Sequence, residues 1–82
     1  MLGGDKMKRE KLIGFRGSRT QKEMAEKYGV TQQAWNRWEM GHTAPVLPIM
    51  KRLEVDSGIP MEELFFDRFH NNIVLKSKEA TA

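Results

Sequence analysis

The chain has 82 residues, 39% of them apolar, and its 14 Lys or Arg against 11 Asp or Glu give a formal charge of +3. That length accommodates one domain with one small core. With no cysteine, disulfides and thiolate zinc sites are excluded and a reducing cytoplasm fits; no run of about 18 apolar residues is present to span a membrane.

Residues 1–7 read as a disordered leader: Met1-Leu2-Gly3-Gly4-Asp5 has no apolar centre of the kind a signal peptide needs, and Met7 is a candidate native start. Lys8 to Arg16 reads as the first helix, with Leu12, Ile13 and Phe15 turned partly inward and Lys8, Arg9 and Lys11 outward. Gly17 and Ser18 make a turn. Thr20, with Glu23 three residues on, forms a capping box that starts a second helix at Gln21, and Met24, Ala25 and Tyr28 share its inner face. Gly29 ends that helix in a left-handed conformation that costs a residue with a Cβ about 1–2 kcal/mol. Thr31 caps a third helix running to Glu39, on which Trp35 and Trp38 share a face by i, i+3 spacing. Ala25 is small enough for close approach, and only Tyr28 to Val30 join the two helices, so they must cross steeply.

Gly41 terminates the third helix, and Thr43, Ala44 and Pro45 form the next loop. Pro48 suits the first turn of a fourth helix, where its missing N–H costs nothing. Ile49, Met50 and Leu53 supply that helix with an apolar face, and Gly58 ends it. Met61 to Phe66 reads as a short fifth helix, with Glu62 and Glu63 complementing the dipole of its first turn and Leu64 and Phe65 closing the core. Residues 67–82, including Arg68-Phe69-His70-Asn71-Asn72-Ile73-Val74-Leu75, lack strong caps and read as a tail or dimer arm.

Charge is distributed unevenly. Residues 1–52 hold 11 Lys or Arg against 5 Asp or Glu, net +6, while residues 53–82 hold 3 against 6, net −3. The basic part contains the paired helices, which favours attraction to phosphate with the acidic end turned away. An enzyme reading finds no support: His42 and His70 are isolated, no glycine-rich phosphate loop is present, and Ser18 and Ser57 lack a nucleophile signature. Neither cofactor nor metal is expected, and the methionines read as core gap-fillers.

Thr20-Gln21-Lys22-Glu23-Met24-Ala25-Glu26-Lys27-Tyr28-Gly29-Val30-Thr31-Gln32-Gln33, followed by Arg37-Trp38-Glu39, Gly41 and Pro45, resembles the phage repressor and Cro type of helix-turn-helix, the XRE family, over roughly Leu12 to Phe65. The resemblance implies an all-α fold, a compact lambda repressor-like bundle of about five short helices spanning residues 8–66. In that fold the third helix lies in the major groove of DNA and the second crosses the backbone. The outer face of the third helix carries Gln32, Gln33, Asn36 and Arg37, side chains suited to base edges: Gln or Asn to adenine and Arg to guanine. In the family's pattern Gln32 and Gln33 meet bases most directly, while Gln21 serves the phosphate backbone and braces the neighbouring Gln of the third helix. Lys22, Thr31 and Thr43 complete the expected backbone contacts, and Arg16 with Glu39 matches a family ion pair that would pin the first helix to the third.

Two features depart from the family's pattern. The link from Arg16 to Thr20 is about two residues short, so the first helix is expected to end early. Trp35 stands where an aliphatic residue is usual: either Ala25 and Ala34 make room for the ring, or it lies partly exposed and shifts the helix. The expected function is sequence-specific binding of a double-stranded DNA operator by a transcriptional regulator. On this reading it is a repressor acting as a homodimer, cytoplasmic and nucleoid-associated when bound, with no membrane partner. The alternative is an antitoxin or other protein-interaction module that engages a protein partner through the arm from Phe69 to Leu75.

Overall fold

Two threonines and two glycines mark out the central helices. In the computed structural model, which describes residues 8–69, the Thr20 hydroxyl accepts from the Glu23 N–H at 3.0 Å. The Glu23 carboxylate in turn accepts from the Thr20 N–H at 2.8 Å. Thr31 accepts from the Ala34 N–H at 3.0 Å and starts the next helix in the same way. Gly29 (φ 70°) and Gly41 (φ 81°) close the two helices in the left-handed region. Each is followed by a residue whose N–H reaches back across the turn, Val30 to Ala25 O at 2.9 Å and His42 to Arg37 O at 2.9 Å.

The elements in chain order are α1 (Glu10–Arg16), α2 (Gln21–Tyr28), α3 (Gln32–Met40), α4 (Leu47–Ser57) and α5 (Met61–Leu64), with no strand among the described residues. None of these helices is long and apolar enough to cross a membrane. α4 begins with Pro48 in its first turn, and Glu54 on its far end accepts from the Met61 N–H at 3.0 Å, so one helix caps the next. The core is drawn from every element: Leu12, Met24, Ala25, Tyr28, Trp35, Trp38, Met50, Leu53, Leu64 and Phe65 are all buried. Trp35 is wholly enclosed, stacked on Tyr28 with ring centroids 5.8 Å apart and tilted against Trp38 at 5.5 Å. Of the two placements open for Trp35, the enclosed one holds. Tyr28 is tied further by its hydroxyl, which donates to Asp56 Oδ2 at 2.6 Å; burial and this carboxylate push its ionisation well above the ordinary tyrosine range.

Four expectations need correction. The first helix starts at Glu10 rather than Lys8, because Arg9 is extended (φ −93°, ψ 86°) and turned inward. Arg9, expected on the surface, is 0% exposed. Its backbone N–H donates to Glu39 O at 2.8 Å, and Nη1 donates to Trp38 O at 2.8 Å and Thr43 O at 2.6 Å. Nε and Nη2 each reach an oxygen of Asp67 at 2.7 Å, and the guanidinium lies 5.1 Å from the centroid of the Phe65 ring. The fifth helix is also shorter than Met61 to Phe66: it stops at Leu64, Phe65 breaks it, and residues 66–69 resume a helical turn. Asp67 and Phe69, assigned to a tail from the sequence, therefore belong to the packed unit, Asp67 through Arg9 and Phe69 against the core. The leader (residues 1–7) and the rest of the expected arm lie outside the described residues.

α1 ends at Arg16, the bound read from the sequence, and Arg19 closes the link that follows. Its guanidinium donates to Phe15 O at 2.7 Å and Arg16 O at 3.1 Å, satisfying the last carbonyls of α1 while stacking on Phe15. Two glycines separate backbone strain from crowding, since no heavy atom lies within 4 Å of a Cβ added at either Gly14 or Gly29. Gly29→Ala is expected to lose about 1–2 kcal/mol, all of it from the positive φ. Gly14→Ala, within α1, is expected to gain about 0.5–1 kcal/mol. Thermal melts of the two single variants should move in opposite directions.

Candidate nucleic-acid interface

α3 buries one side of its cylinder, and the other side is left for function. Trp35, Trp38 and Glu39 face inward, while Gln32, Gln33 and Arg37 are exposed and Asn36 is half-buried at the border. Gln32, Gln33 and Asn36 line one open concavity together with Gln21, which starts α2 and is itself half-buried. The structure thus brings four of the sequence-predicted residues around a single depression. Arg37 follows on the exposed side of the last turn of α3, and no hydrogen bond or ion pair engages the side chains of Gln32, Gln33, Arg37 or Lys22 among the described residues.

Beneath the depression lies Glu39, 1% exposed and buried without isolation. Oε2 accepts from Arg16 Nε at 2.6 Å and from the Trp35 indole N–H at 2.6 Å. Oε1 accepts from Gln21 Nε2 at 2.8 Å and Arg16 Nη2 at 3.2 Å. Four N–H donors from three helices therefore converge on one carboxylate, and the first of them holds the Arg16 guanidinium even further above neutrality than usual. Arg16 is 22% exposed and also donates to Arg19 O at 2.9 Å, so the pair joins the end of α1 to the end of α3. The indole bond to Glu39 was not foreseen; its one trace in the sequence is the i, i+4 spacing of Trp35 and Glu39.

Gln21 braces a different partner from the one the resemblance implied. Its Nε2 donates to Asn36 Oδ1 at 3.0 Å, not to Gln32 or Gln33, because Asn36 sits one turn further along α3, directly above Glu39. Of the residues expected at the DNA backbone, Lys22 is exposed in the first turn of α2 and Thr31 is exposed at the cap of α3. The Thr31 oxygen is used by Ala34 while its hydroxyl hydrogen is left to an outside acceptor. Thr43, half-buried, gives its carbonyl to Arg9 and keeps its hydroxyl on the loop after Gly41. Lys11 is drawn away from this face to Glu63 of α5, at 2.7 Å.

A family model described as helix-turn-helix matches residues 16–64, which takes in α2, α3, the turn between them and every residue of the concavity. No curated protein and no solved structure matches the chain.

Proposed function

The chain belongs to the helix-turn-helix family of DNA-binding regulators, and from that premise we propose that it reads specific duplex sequences by laying α3 in the major groove. The observation that carries this reading is the outward row Gln32, Gln33, Asn36 and Arg37, standing on a buried face whose own polar groups are all satisfied. Such side chains fit base edges, and each well-matched contact contributes about 1–3 kcal/mol of discrimination. Gln32 and Gln33, nearest the start of α3, take the base pairs at the centre of the contact; Asn36 and Arg37 take those at its edge. Lys22, Thr31 and Thr43 hold the flanking phosphates, and Gln21 joins them through its backbone N–H, one of those that the start of α2 leaves unpaired.

A single α3 spans only a few base pairs. Two copies on a two-fold symmetric operator, with half-sites about one helical turn apart, would supply the missing specificity. We assign the protein the role of a repressor that occludes its operator as a homodimer. Selection of bound duplexes from a random pool is expected to return a symmetric consensus. Gln32→Ala and Gln33→Ala, made singly, should each lower the preference for that consensus over random DNA by about 1–3 kcal/mol. Affinity should fall steeply with salt, and Lys22→Ala should reduce the log–log slope by about one unit. A slope near zero, or unchanged selectivity in both glutamine variants, would overturn the reading.

A further inference from the structure

The bonds around Glu39 fix more than the position of α3. Every group facing the Glu39 carboxylate is an N–H donor, so the carboxylate acts only as an acceptor. Gln21 must then present its amide nitrogen, not its oxygen, to Oε1; the reverse orientation would set two acceptors 2.8 Å apart. The same nitrogen lies 3.0 Å from Asn36, and its second hydrogen requires an acceptor there. Asn36 meets that need with Oδ1. Its Nδ2, with two hydrogens, is consequently the end left over on a side chain that lines the open concavity, and no partner engages it among the described residues.

We propose that Glu39, acting through Gln21, locks the Asn36 amide with its oxygen on Gln21 and its nitrogen outward, so that it reads as a donor and selects a base presenting acceptors in the major groove. This inference rests on the DNA-reading role given above. The familiar Asn–adenine contact needs both ends of the amide, the oxygen for N6–H and the nitrogen for N7. Here the oxygen already accepts from Gln21 and is held on that side of the amide, so the nitrogen is the end presented, and at adenine it would meet N7 beside the opposing N6–H donor. Guanine, with N7 and O6 side by side as acceptors, suits the exposed amide nitrogen best, and thymine O4 offers a single acceptor. Gln21 and Glu39 are positioning residues in this scheme and touch no base themselves.

Selection from a random duplex pool with the wild type, Asn36→Ala and Gln21→Met tests the scheme, with a thermal melt confirming that each variant is folded. Asn36→Ala is expected to erase selectivity at one base pair per half-site and leave the rest of the consensus intact. In the wild type that position should be guanine, or thymine second, favoured about tenfold over adenine. In Gln21→Met the amide is free to turn, and adenine should rise to rival guanine there. Three results would overturn the proposal: adenine at that position in the wild type, a consensus unaltered by Asn36→Ala, or continued rejection of adenine in folded Gln21→Met. If Gln21→Met does not fold, the first two comparisons still decide. A wild type that returns no consensus at all would instead remove the DNA-reading role on which the scheme rests, and is thereby told apart from a failure of the lock alone.

Discussion

Arg9→Ala is expected to remove about 3–5 kcal/mol of folding free energy, because it strips a buried ion pair of one partner and leaves the other behind. A domain of this size has of order 4–12 kcal/mol in all, so the variant should be marginally folded. Four of the five N–H groups of the guanidinium are engaged at once, two on Asp67 and two on the carbonyls of Trp38 and Thr43. Those carbonyls, with that of Glu39 on the Arg9 backbone N–H, lie at or just past the negative end of α3, where a cation is favoured. Arg9→Lys should recover less than half of the loss, since an ammonium cannot span both carboxylate oxygens and two carbonyls. Denaturant melts measure the effect directly. A loss under about 1 kcal/mol would mean that Arg9 behaves as a solvated surface cation.

The same clasp sets an acid limit. Burial pushes the Asp67 carboxyl up, but the hydrogen bonds and charge of Arg9 outweigh it and hold the carboxyl below the ordinary carboxylate range. Because the folded value lies below the unfolded one near 3.9, the stabilisation is complete above about pH 4 and drains away as pH falls through the lower folded value. The difference in stability between wild type and Arg9→Ala should hence be flat around neutrality and narrow only in strong acid.

Arg9 also marks the limit of what the residue order alone could reveal. Caps and terminators act across three to five positions, so Thr20 with Glu23, Thr31, Gly29 and Gly41 announced α2 and α3 without help from the rest of the chain. Helical spacing likewise sorted Met24, Ala25, Tyr28 and Trp38 to the inside, while leaving Trp35 open between an enclosed and a partly exposed place. Arg9 sits in a basic run with Lys6, Lys8 and Lys11, and spacing gives no reason to separate it from its neighbours. Its partner Asp67 is 58 positions away, beyond a helix that lacks a strong cap. Both clasp residues lie outside the segment that matches the family model, so the clasp ties together the two flanks of that segment. Orientation was hidden for a related reason. The sequence placed Asn36 on the reading face, but which end of its amide points outward depends on a carboxylate two residues removed from it in the bonding chain.

Glu39→Ala is expected to cost about 3–5 kcal/mol, and more than Arg16→Ala, although the two residues form one ion pair. The asymmetry follows from what each leaves behind. Without Glu39, the Trp35 indole N–H stays buried with no acceptor, and Gln21 loses the group that orients it. Without Arg16, Glu39 keeps the N–H groups of Gln21 and Trp35, and water can reach a site that Arg16 leaves 22% open, which limits the loss to about 1.5–3 kcal/mol. Once Glu39 has gone, Arg16 has no carboxylate to bind and its removal should cost almost nothing. The double variant should therefore match Glu39→Ala, giving a coupling of about 1.5–3 kcal/mol in a double-mutant cycle. Glu39→Gln should fall between, since its one oxygen can still accept from the indole or Arg16 while its amide nitrogen meets donors. Additive losses would sever α1 from α3 as a cooperative unit; strong coupling would mean that the group supporting the reading face is also the one that holds the domain's first helix in place.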